Sequence, residues 1–578
     1  MAERSYDALF IPRADEYLGE YLPERNERLR WCSGFTGSAG MLLLLRDRAA
    51  LFVDGRYTVQ VRAQCDPDLF AFHHLIDEPQ PDYLCDVLGE GARVACDPRL
   101  HSWRWYRETR DALSAGGLEL VADSDNLVDV CWRDRPALPP GQAILLEESY
   151  SGESSADKRA RVGGMVAASK CEAALVFAPD AVSWLLNLRG RAMPQLPVLL
   201  GFAMLEVSGE VTLFTDLACL PGDIAAHVGP GVQLCAEDDT GEVFARYRGR
   251  RVLADETVAS AWMHLQLREA GAEVVAGSDP VSLPKACKNA VELAGSRAAH
   301  RRDAVAVARF LCWLDGEIDA GRLHDEGVLA EHLLALRKQG EGFHALSFDT
   351  ISAAGPNAAM CHYNHLDAGA APLVMDSVYL CDSGGQYLDG TTDITRTVAV
   401  GDPGDEVRRL FTLVLKGHIA LATARFPHGT CGAQLDALAR QYLWAEGFDF
   451  DHGTGHGVGA FLSVHEGPQR IARTGTAALA PGMIVSDEPG YYRDGAFGMR
   501  CENLLAVCEV RDGEKPMLGF EVLTLAPFDG RLLDLQLLRA DEVEWLNAYH
   551  ARVYAEVGPL LQTAQRDWLQ RATAPVAP

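Results

Sequence analysis

Through the first third of the chain, short apolar runs alternate with amphipathic stretches and are punctuated by turn residues. Met41 to Leu45 and Ala50 to Val53 read as the strands of a hairpin, Asp54-Gly55 as a turn, and Tyr57 to Ala63 as the start of a helix. Arg93-Val-Ala-Cys-Asp97 predicts a strand that runs into a helix start, with the helix over Trp103 to Leu113. The pattern then comes round again. Leu51-Phe-Val-Asp54 has a counterpart in Leu213-Phe-Thr-Asp216, and Arg93-Val-Ala-Cys-Asp97 has one in Arg251-Val-Leu-Ala-Asp255. Both offsets are about 160 residues, as a duplicated α/β unit requires; chance likeness of short strands is the competing explanation. Between the copies, Asp134-Arg-Pro-Ala-Leu-Pro-Pro140 forms a joint, because proline continues neither a helix nor a ladder.

From Asn289 the periodicity lengthens. Asn289 to Ile318 and Glu326 to Lys338 repeat apolar residues at helical spacing, and strands are expected from near Val374. After Pro403 the order recurs. Asp405 to Ala424 puts Val407, Leu410, Phe411 and Val414 on one face, Gly432 to Glu446 is a second helix, and strands resume near Met483. Each half reads helix, helix, hairpin, which predicts a pseudo-two-fold lobe with a site between its halves. The chain closes with helix from Asp541 to Leu569 and a loose tail from Ala572 to Pro578.

A chain of 578 residues is too long for one core. Its 81 acidic and 53 basic residues give a formal charge of -28, which disfavours nucleic acid as a partner because phosphate binding needs clustered Lys and Arg. The 15 cysteines are odd in number, scattered singly from Cys32 to Cys508 and never spaced C-x-x-C, a usage that fits a reducing compartment. The N-terminus is charged where a leader needs an apolar core, and no run approaches the roughly 20 apolar residues of a membrane span. A cytoplasmic location away from membranes is the expectation.

Acid is placed inside the apolar hairpins. In Ser377-Val-Tyr-Leu-Cys-Asp382 and Thr391-Thr-Asp393-Ile-Thr-Arg-Thr-Val-Ala, strand alternation puts Asp393 on one face with Thr391, Thr395 and Thr397. Ile394, Val398 and Val400 are left to pack behind. Cys381 turns away from Asp382, and Cys501 from Glu502, so neither thiol reads as a ligand. Asp389-Gly390 already supplies the turn, so Asp382 and Asp393 are not needed for it. In the second hairpin Glu488 shares a side with Ile484 and Ser486 before Pro489-Gly490 turns the chain. Asp487 faces the other way and reads as structural, while Glu502 follows Arg500 in a strand apolar enough to be central.

Four converging carboxylates with only Arg500 as a local counterion repel one another and need more positive charge than the sequence supplies. Two divalent cations would cancel that charge. His456, in His452-Gly-Thr-Gly-His456-Gly-Val-Gly, is a fifth donor, brought close by glycines that remove bulk and permit unusual backbone angles. An oxygen-rich set with one imidazole and no thiolate suits manganese, magnesium, iron, cobalt or zinc. The glycines do not make a phosphate loop, because neither G-x-G-x-x-G nor a Walker lysine is present. His362 and His465 are single loop histidines, which on their own read as surface or hydrogen-bonding residues. H-E-x-x-H and G-x-S-x-G are absent, which removes support for a zincin or a serine hydrolase.

Taken together, His362-Tyr, Asp382-Ser-Gly, Thr391-Thr-Asp393-x-Thr-Arg-Thr, His452-Gly-Thr-Gly-His456-Gly-Val-Gly, His465-Glu-Gly, Asp487-Glu488-Pro-Gly-Tyr-Tyr and Arg500-x-Glu502-Asn closely resemble the cytosolic three-domain Xaa-Pro aminopeptidases, or aminopeptidase P, of metallopeptidase family M24. The likeness extends to Trp31-Cys-Ser-Gly-Phe-Thr-Gly-Ser-Ala-Gly, Trp184-Leu-Leu-Asn-Leu-Arg-Gly190 and Phe520-Glu-Val-Leu-Thr-Leu-Ala-Pro527, so it covers nearly the whole chain. It implies two creatinase-like α/β domains, over 1–138 and 139–288, before an α+β pita-bread catalytic domain over 289–578 with a helical extension from about 540.

The resemblance also implies two divalent metal ions per subunit, with manganese as the expectation. Asp382 would hold one, Asp393 and Glu502 would bridge both, and His456 and Glu488 would complete the other. His362 and His465 would stabilise the tetrahedral intermediate or move protons, His452 would line the substrate pocket, and Arg500 would support the bridging ligand or the peptide. The implied reaction removes the N-terminal residue from peptides with proline second, using a hydroxide that bridges the metals, with Glu488 relaying a proton to the leaving proline nitrogen. The implied assembly is a cytoplasmic homodimer, with Xaa-Pro peptides as its substrates. A prolidase acting on Xaa-Pro dipeptides and a non-catalytic pita-bread binding protein are the competing assignments. The chain departs from the family pattern at Asn364-His365, where a small residue and proline are expected after His362-Tyr363, and at Cys361 and Cys501, which replace aliphatic residues.

Overall fold

The computed structural model describes residues 1–138, 141–193, 195–510 and 514–577, with the backbone alone at Ala368. Pro139 and Pro140 of the expected joint therefore lie outside the described residues. The chain forms two compact units: Met1–Leu146 with Glu153–Met193 and Pro197–Ser282, and Glu147–Gly152 with Pro194–Leu196 and Leu283–Pro578.

The first unit holds two six-stranded sheets of one design. Strands β1 (Ala8–Pro12), β2 (Met41–Leu45), β3 (Ala49–Val53), β4 (Phe70–His74), β5 (Arg93–Cys96) and β6 (Glu119–Ala122) lie in the order β4-β3-β2-β1-β5-β6. Strands β7 (Ala173–Val176), β8 (Gly201–Glu206), β9 (Val211–Thr215), β10 (Val232–Cys235), β11 (Arg251–Ala254) and β12 (Glu273–Ala276) lie in the order β10-β9-β8-β7-β11-β12. Each neighbouring pair has the same sense in both sheets: antiparallel at β1–β2, β2–β3, β7–β8 and β8–β9, parallel elsewhere. The likenesses at constant offset are thus β3 with β9 and β5 with β11 of a repeated fold, not chance. Ala8 and Phe10 enter one core cluster while Leu9 and Ile11 enter another, so the first sheet is covered on both faces and its strands are apolar without alternation.

The two copies meet along the helices Trp103–Ala115 and Ala261–Glu269. Each starts at a serine whose hydroxyl accepts from a backbone N–H three residues on, Ser102 from Trp105 and Ser260 from Met263. The Trp103 N–H donates to the Ala259 carbonyl at 3.1 Å, and the Ala261 N–H donates to the His101 carbonyl at 2.8 Å.

The second unit contains the four predicted long helices, Ala290–Asp319, Glu326–Arg337, Asp405–Ala422 and Gly432–Trp444. Asn289 caps the first through a capping box with Glu292. Val407, Leu410, Phe411 and Val414 are buried together, as their spacing predicts. Strands begin earlier than expected in each half: Phe343–Leu346 and Ile351–Ala354 precede the first hairpin, and Gly455–Gly457 and Glu466–Ile471 precede the second. Phe343–Leu346 is half-buried along its length and the Gly455 segment is mostly glycine, so neither carries an apolar alternation that sequence patterning can read.

Each hairpin is bent at its middle. Ser377–Ser383 pairs with Ile394–Val400, and beyond the bend Gly385–Tyr387 pairs with Gly390–Thr391 in a different sheet. Likewise Ile484–Asp487 pairs with Asn503–Val510, and beyond the bend Gly490–Arg493 pairs with Phe497–Arg500. The stretches around Asp393 and Glu502 are therefore not unbroken strands; both acids sit at the bends. A Cβ on Gly384 would fall 2.0 Å from the Thr392 carbonyl oxygen, so only glycine allows the first bend to close.

The C-terminal helices are Ala540–Val557 and Thr563–Ala572. The tail is held rather than loose as far as Val576, with Pro578 outside the described residues: the Asn547 amide donates to the Val576 carbonyl at 2.9 Å and accepts from the Val576 N–H at 2.8 Å, and Val576 packs on the main core. Among the described residues no helix is long and apolar enough to cross a membrane.

Candidate active site

The two bends and the glycine-rich strand Gly455–Gly457 bring five donors into one pocket of the second unit. One ligand atom each of Asp393, His456 and Glu502 lies within 4.8 Å of the others. His456 Nε2 is 3.5 Å from Asp393 Oδ2 and 3.4 Å from Glu488 Oε1. Its Nδ1 is 3.0 Å from the Gly457 carbonyl, a bond that keeps a proton on Nδ1 and makes Nε2 the nitrogen that faces the acids. The backbone N–H of His456 donates to Ser486 Oγ at 2.9 Å, and that hydroxyl donates to Glu488 Oε1 at 3.2 Å. Gly455 and Gly457 serve close packing alone. A Cβ would fall 1.9 Å from the Ser486 carbonyl oxygen at the first and 2.3 Å from that of Glu466 at the second, yet neither adopts a positive φ, so the expected unusual backbone angles are absent there.

Asp382 closes the ring. Its Oδ2 accepts from Arg500 Nη2 at 2.5 Å, while its buried Oδ1 has no hydrogen-bond partner. Arg500 Nε donates to Thr395 Oγ1 at 3.0 Å, Thr395 donates to Glu502 Oε2 at 2.6 Å, and Arg500 Nε also lies 3.9 Å from Glu488 Oε2. One arginine thus touches both hairpins. Thr395 and Thr397 present the polar face read from alternation, Thr397 Oγ1 accepting from the Arg500 N–H at 3.1 Å, while Cys381, Ile394, Val398 and Val400 pack in the apolar cluster behind. Cys501 enters the main core. Asp487 also faces away, as predicted, and lies 3.2 Å from His418 Nδ1.

The electrostatics follow from this crowding. Burial, only partly offset by Arg500 and reinforced by Asp393 and Glu488, pushes Asp382 up to about 7. Burial and then the charges of Asp393, Asp382 and Glu488 hold Glu502 well above the ordinary carboxylate range, and Glu488 is raised chiefly by burial. Burial disfavours His456 imidazolium, but the bond to Asp393 and the charge of Glu488 outweigh it and raise the ring to about 9. Burial leads for the three acids, and the neighbouring carboxylates add to it, so the site gathers negative charge that cations would stabilise. The orphaned Asp382 Oδ1, the Nε2-facing imidazole and four hard carboxylates in one pocket fit a pair of divalent ions.

The remaining histidines take different places. The His465 ring stands edge-on to that of His456, with centroids 4.3 Å apart and planes at 79°. His452 Nε2 is 2.8 Å from the Tyr492 hydroxyl, which accepts from Arg500 Nη1 at 2.7 Å. Tyr492 is a link that patterning missed: like Tyr491 it packs on the main core, but its hydroxyl reaches His452 and Arg500. His362 lies on the turn after the 3-10 segment Gly355–Ala359, which packs on the strand Phe497–Arg500. The turn is anchored by Tyr363, whose hydroxyl donates to the buried Glu326 at 2.8 Å. Asn364, a departure from the family pattern, accepts from the Leu366 N–H at 2.9 Å and caps the short helix His365–Ala368.

Comparison with known proteins matches this layout from end to end. The model of metallopeptidase family M24 fits residues 294–509, and that of its C-terminal region fits 516–576. Models of the creatinase/prolidase N-terminal domain fit 1–131 and 134–292. A probable Xaa-Pro aminopeptidase P of Laccaria bicolor is 40% identical over 597 residues, covering 100% of this chain and 92% of that protein. The crystal structure of X-prolyl aminopeptidase from Caenorhabditis elegans, described as a cytosolic enzyme with a di-nuclear active site, has a TM-score of 0.94 at 35% identity and covers 99% of this chain and 95% of its own. A Xaa-Pro dipeptidase from Bacillus anthracis shares the fold at 24% identity and a TM-score of 0.53, but covers only 65% of this chain while 99% of its own is matched. With relatives aligned over its whole length, both creatinase-like parts included, the chain belongs to metallopeptidase family M24, in the group named Xaa-Pro aminopeptidase P.

Proposed function

We propose that this chain is a metal-dependent aminopeptidase that hydrolyses the first peptide bond of peptides with proline second. The observation that carries the reading is the convergence of Asp382, Asp393, His456, Glu488 and Glu502 around one pocket with a buried carboxylate oxygen left unpaired. Asp382, Asp393, His456, Glu488 and Glu502 would hold a pair of divalent ions; manganese suits this donor set. When bound, the pair supplies an activated water and polarises the scissile carbonyl.

The side chains supply the rest. Glu488, next to His456 and still partly exposed, takes a proton from the attacking water and delivers it to the leaving proline nitrogen. His465 and His362 donate to the oxygen that becomes negative, the first from its place against the His456 ring. Arg500 holds Asp382 and, through Thr395, Glu502 in place, and His452, fixed by Tyr492, lines the substrate pocket.

The chain is divided at 138/139 and 288/289, with a helical extension from about 540, a division supported by the family-model limits at 131, 134, 292 and 294. A homodimer in the cytoplasm, the compartment named for the nematode relative, completes the reading. The experiment is to strip the protein with chelator, restore single metals, and measure release of the first residue. Hydrolysis of Arg-Pro-Pro restored by manganese, with little cleavage of alanine-second peptides or of an Xaa-Pro dipeptide, is the expected result. Preference for the dipeptide would make the protein a prolidase, and bound metal without hydrolysis would make it a binding protein.

A further inference from the structure

Behind His465 lies a buried charge cluster to which the reaction assigns no role. Glu466 is sealed from solvent at its side chain, and its two oxygens face two ammonium groups. Lys285 Nζ is 2.9 Å from Oε2, and Lys288 Nζ bonds Oε1; the lysine side chains are only 4% and 1% exposed. Burying such a cluster gains little stability over apolar residues of the same volume, and removing one member leaves uncompensated charge. What it does supply is fixed geometry.

The cluster sits where geometry matters. Glu466 follows His465 in the chain and pairs across the ladder with Gly457, the residue after His456. The lysines come from Pro284-Lys-Ala-Cys-Lys288, and that segment is stitched to the hairpin that carries Glu488. The Lys288 N–H donates to the Gly482 carbonyl at 3.0 Å, and the Gly482 N–H donates to Val507 at 2.9 Å. A Cβ on Gly482 would fall 2.6 Å from the Lys288 carbonyl oxygen, so the contact is backbone on backbone. The strand Glu466–Ile471, which His465 directly precedes, is thereby tied to the same frame as the acids.

We propose that Lys285 and Lys288 are positioning residues that, through Glu466, hold His465 edge-on to His456 for its work on the substrate. The inference rests on the role given to His465 above. The test uses full-length protein loaded with manganese and measures kcat, KM, metal content and thermal unfolding. His465→Asn should lower kcat; if it does not, the role of His465 fails and takes this proposal with it. Given that loss, Lys288→Met should lower kcat about 10–100-fold with KM and metal content unchanged, as for other outer-shell partners. Lys288→Arg should recover most of it. In the His465→Asn background Lys288→Met should cost nothing further, because the two act through one group. An equal fold-loss in both backgrounds, or a loss that tracks metal content, overturns the proposal. If Lys288→Met does not fold, Glu466→Gln, which keeps the shape, enters the same cycle under the same criteria.

Discussion

The two bent hairpins deliver acids to one pocket from opposite sides, and they are braced in opposite ways. Behind Asp382 and Asp393, the chain neighbours Cys381 and Ile394 pack into an apolar cluster with Phe310, Leu314 and Leu329. Behind Glu488 and Glu502, the equivalent neighbours are Asp487 and Asn503, paired directly across the ladder. Buried His418 spans them: Asn503 Nδ2 lies 3.0 Å from Nε2, while Nδ1 lies 3.1 Å from the Asp487 carbonyl and 3.2 Å from its carboxylate. Arg396 continues the network to Asn503 Oδ1 at 2.8 Å and to the Glu502 carbonyl at 2.5 Å. An apolar backing tolerates small volume changes and transmits them weakly, whereas a polar backing fixes direction and fails when one member is lost; here the Asp487 carboxylate has no hydrogen bond and only its 3.2 Å contact with His418.

That contrast can be broken at three levels. The largest effect belongs to the acids themselves. Glu488→Gln should lower kcat by about 10²–10⁴, since it removes both a donor and the proton carrier, whereas Asp382→Asn should act mainly through metal content. Equal kcat losses at matched metal occupancy would erase the distinction between the hairpins. Next comes the polar brace. His418→Phe removes the partner of the Asp487 carbonyl and of Asn503 Nδ2, and the ion-pair contact of the Asp487 carboxylate, at a cost of about 2–3 kcal/mol in stability. It should also weaken metal binding about 10–100-fold, as outer-shell losses do. Thermal unfolding and metal titration read the two effects. The smallest effect lies on the apolar side: Cys381→Ala, which trims a small hydrophobe, should cost about 1 kcal/mol and leave metal affinity unchanged. A drop in metal affinity there would show that the first hairpin is as sensitive as the second.

Much of this was legible in the residues. The alternation around Asp393 sorted Thr395 and Thr397 from the packing residues but misplaced Thr391, which lies beyond the bend and bonds Gln386; Asp487 and the cysteines pointed away as read, and the repeat of β3 in β9 matched the duplicated sheets. The bends were not legible, because Thr391 to Ala399 and Met499 to Val507 read as continuous strands; a change of sheet at Asp393 and Glu502 depends on which strand lies alongside. Ser383-Gly384-Gly385 and Pro489-Gly490 were the available signals. His418 was hidden for a different reason. A lone histidine in the apolar helix Asp405–Ala422 looks like any packed ring until its two partners, far along the chain, are brought to it. Lys285 and Lys288 were likewise hidden, since nothing near them in sequence announces Glu466.

The crossed hydrogen bonds between the first two sheets carry a consequence of their own. Trp103 reaches Ala259 while Ala261 reaches His101, and each donor is the counterpart of the other at the repeat offset. A contact in which position i meets j and j meets i is the hallmark of an isologous dimer. The amino-terminal half is thus a two-fold pair joined into one polypeptide, and each half of that pair, cut free of the other, exposes a patch complementary to itself.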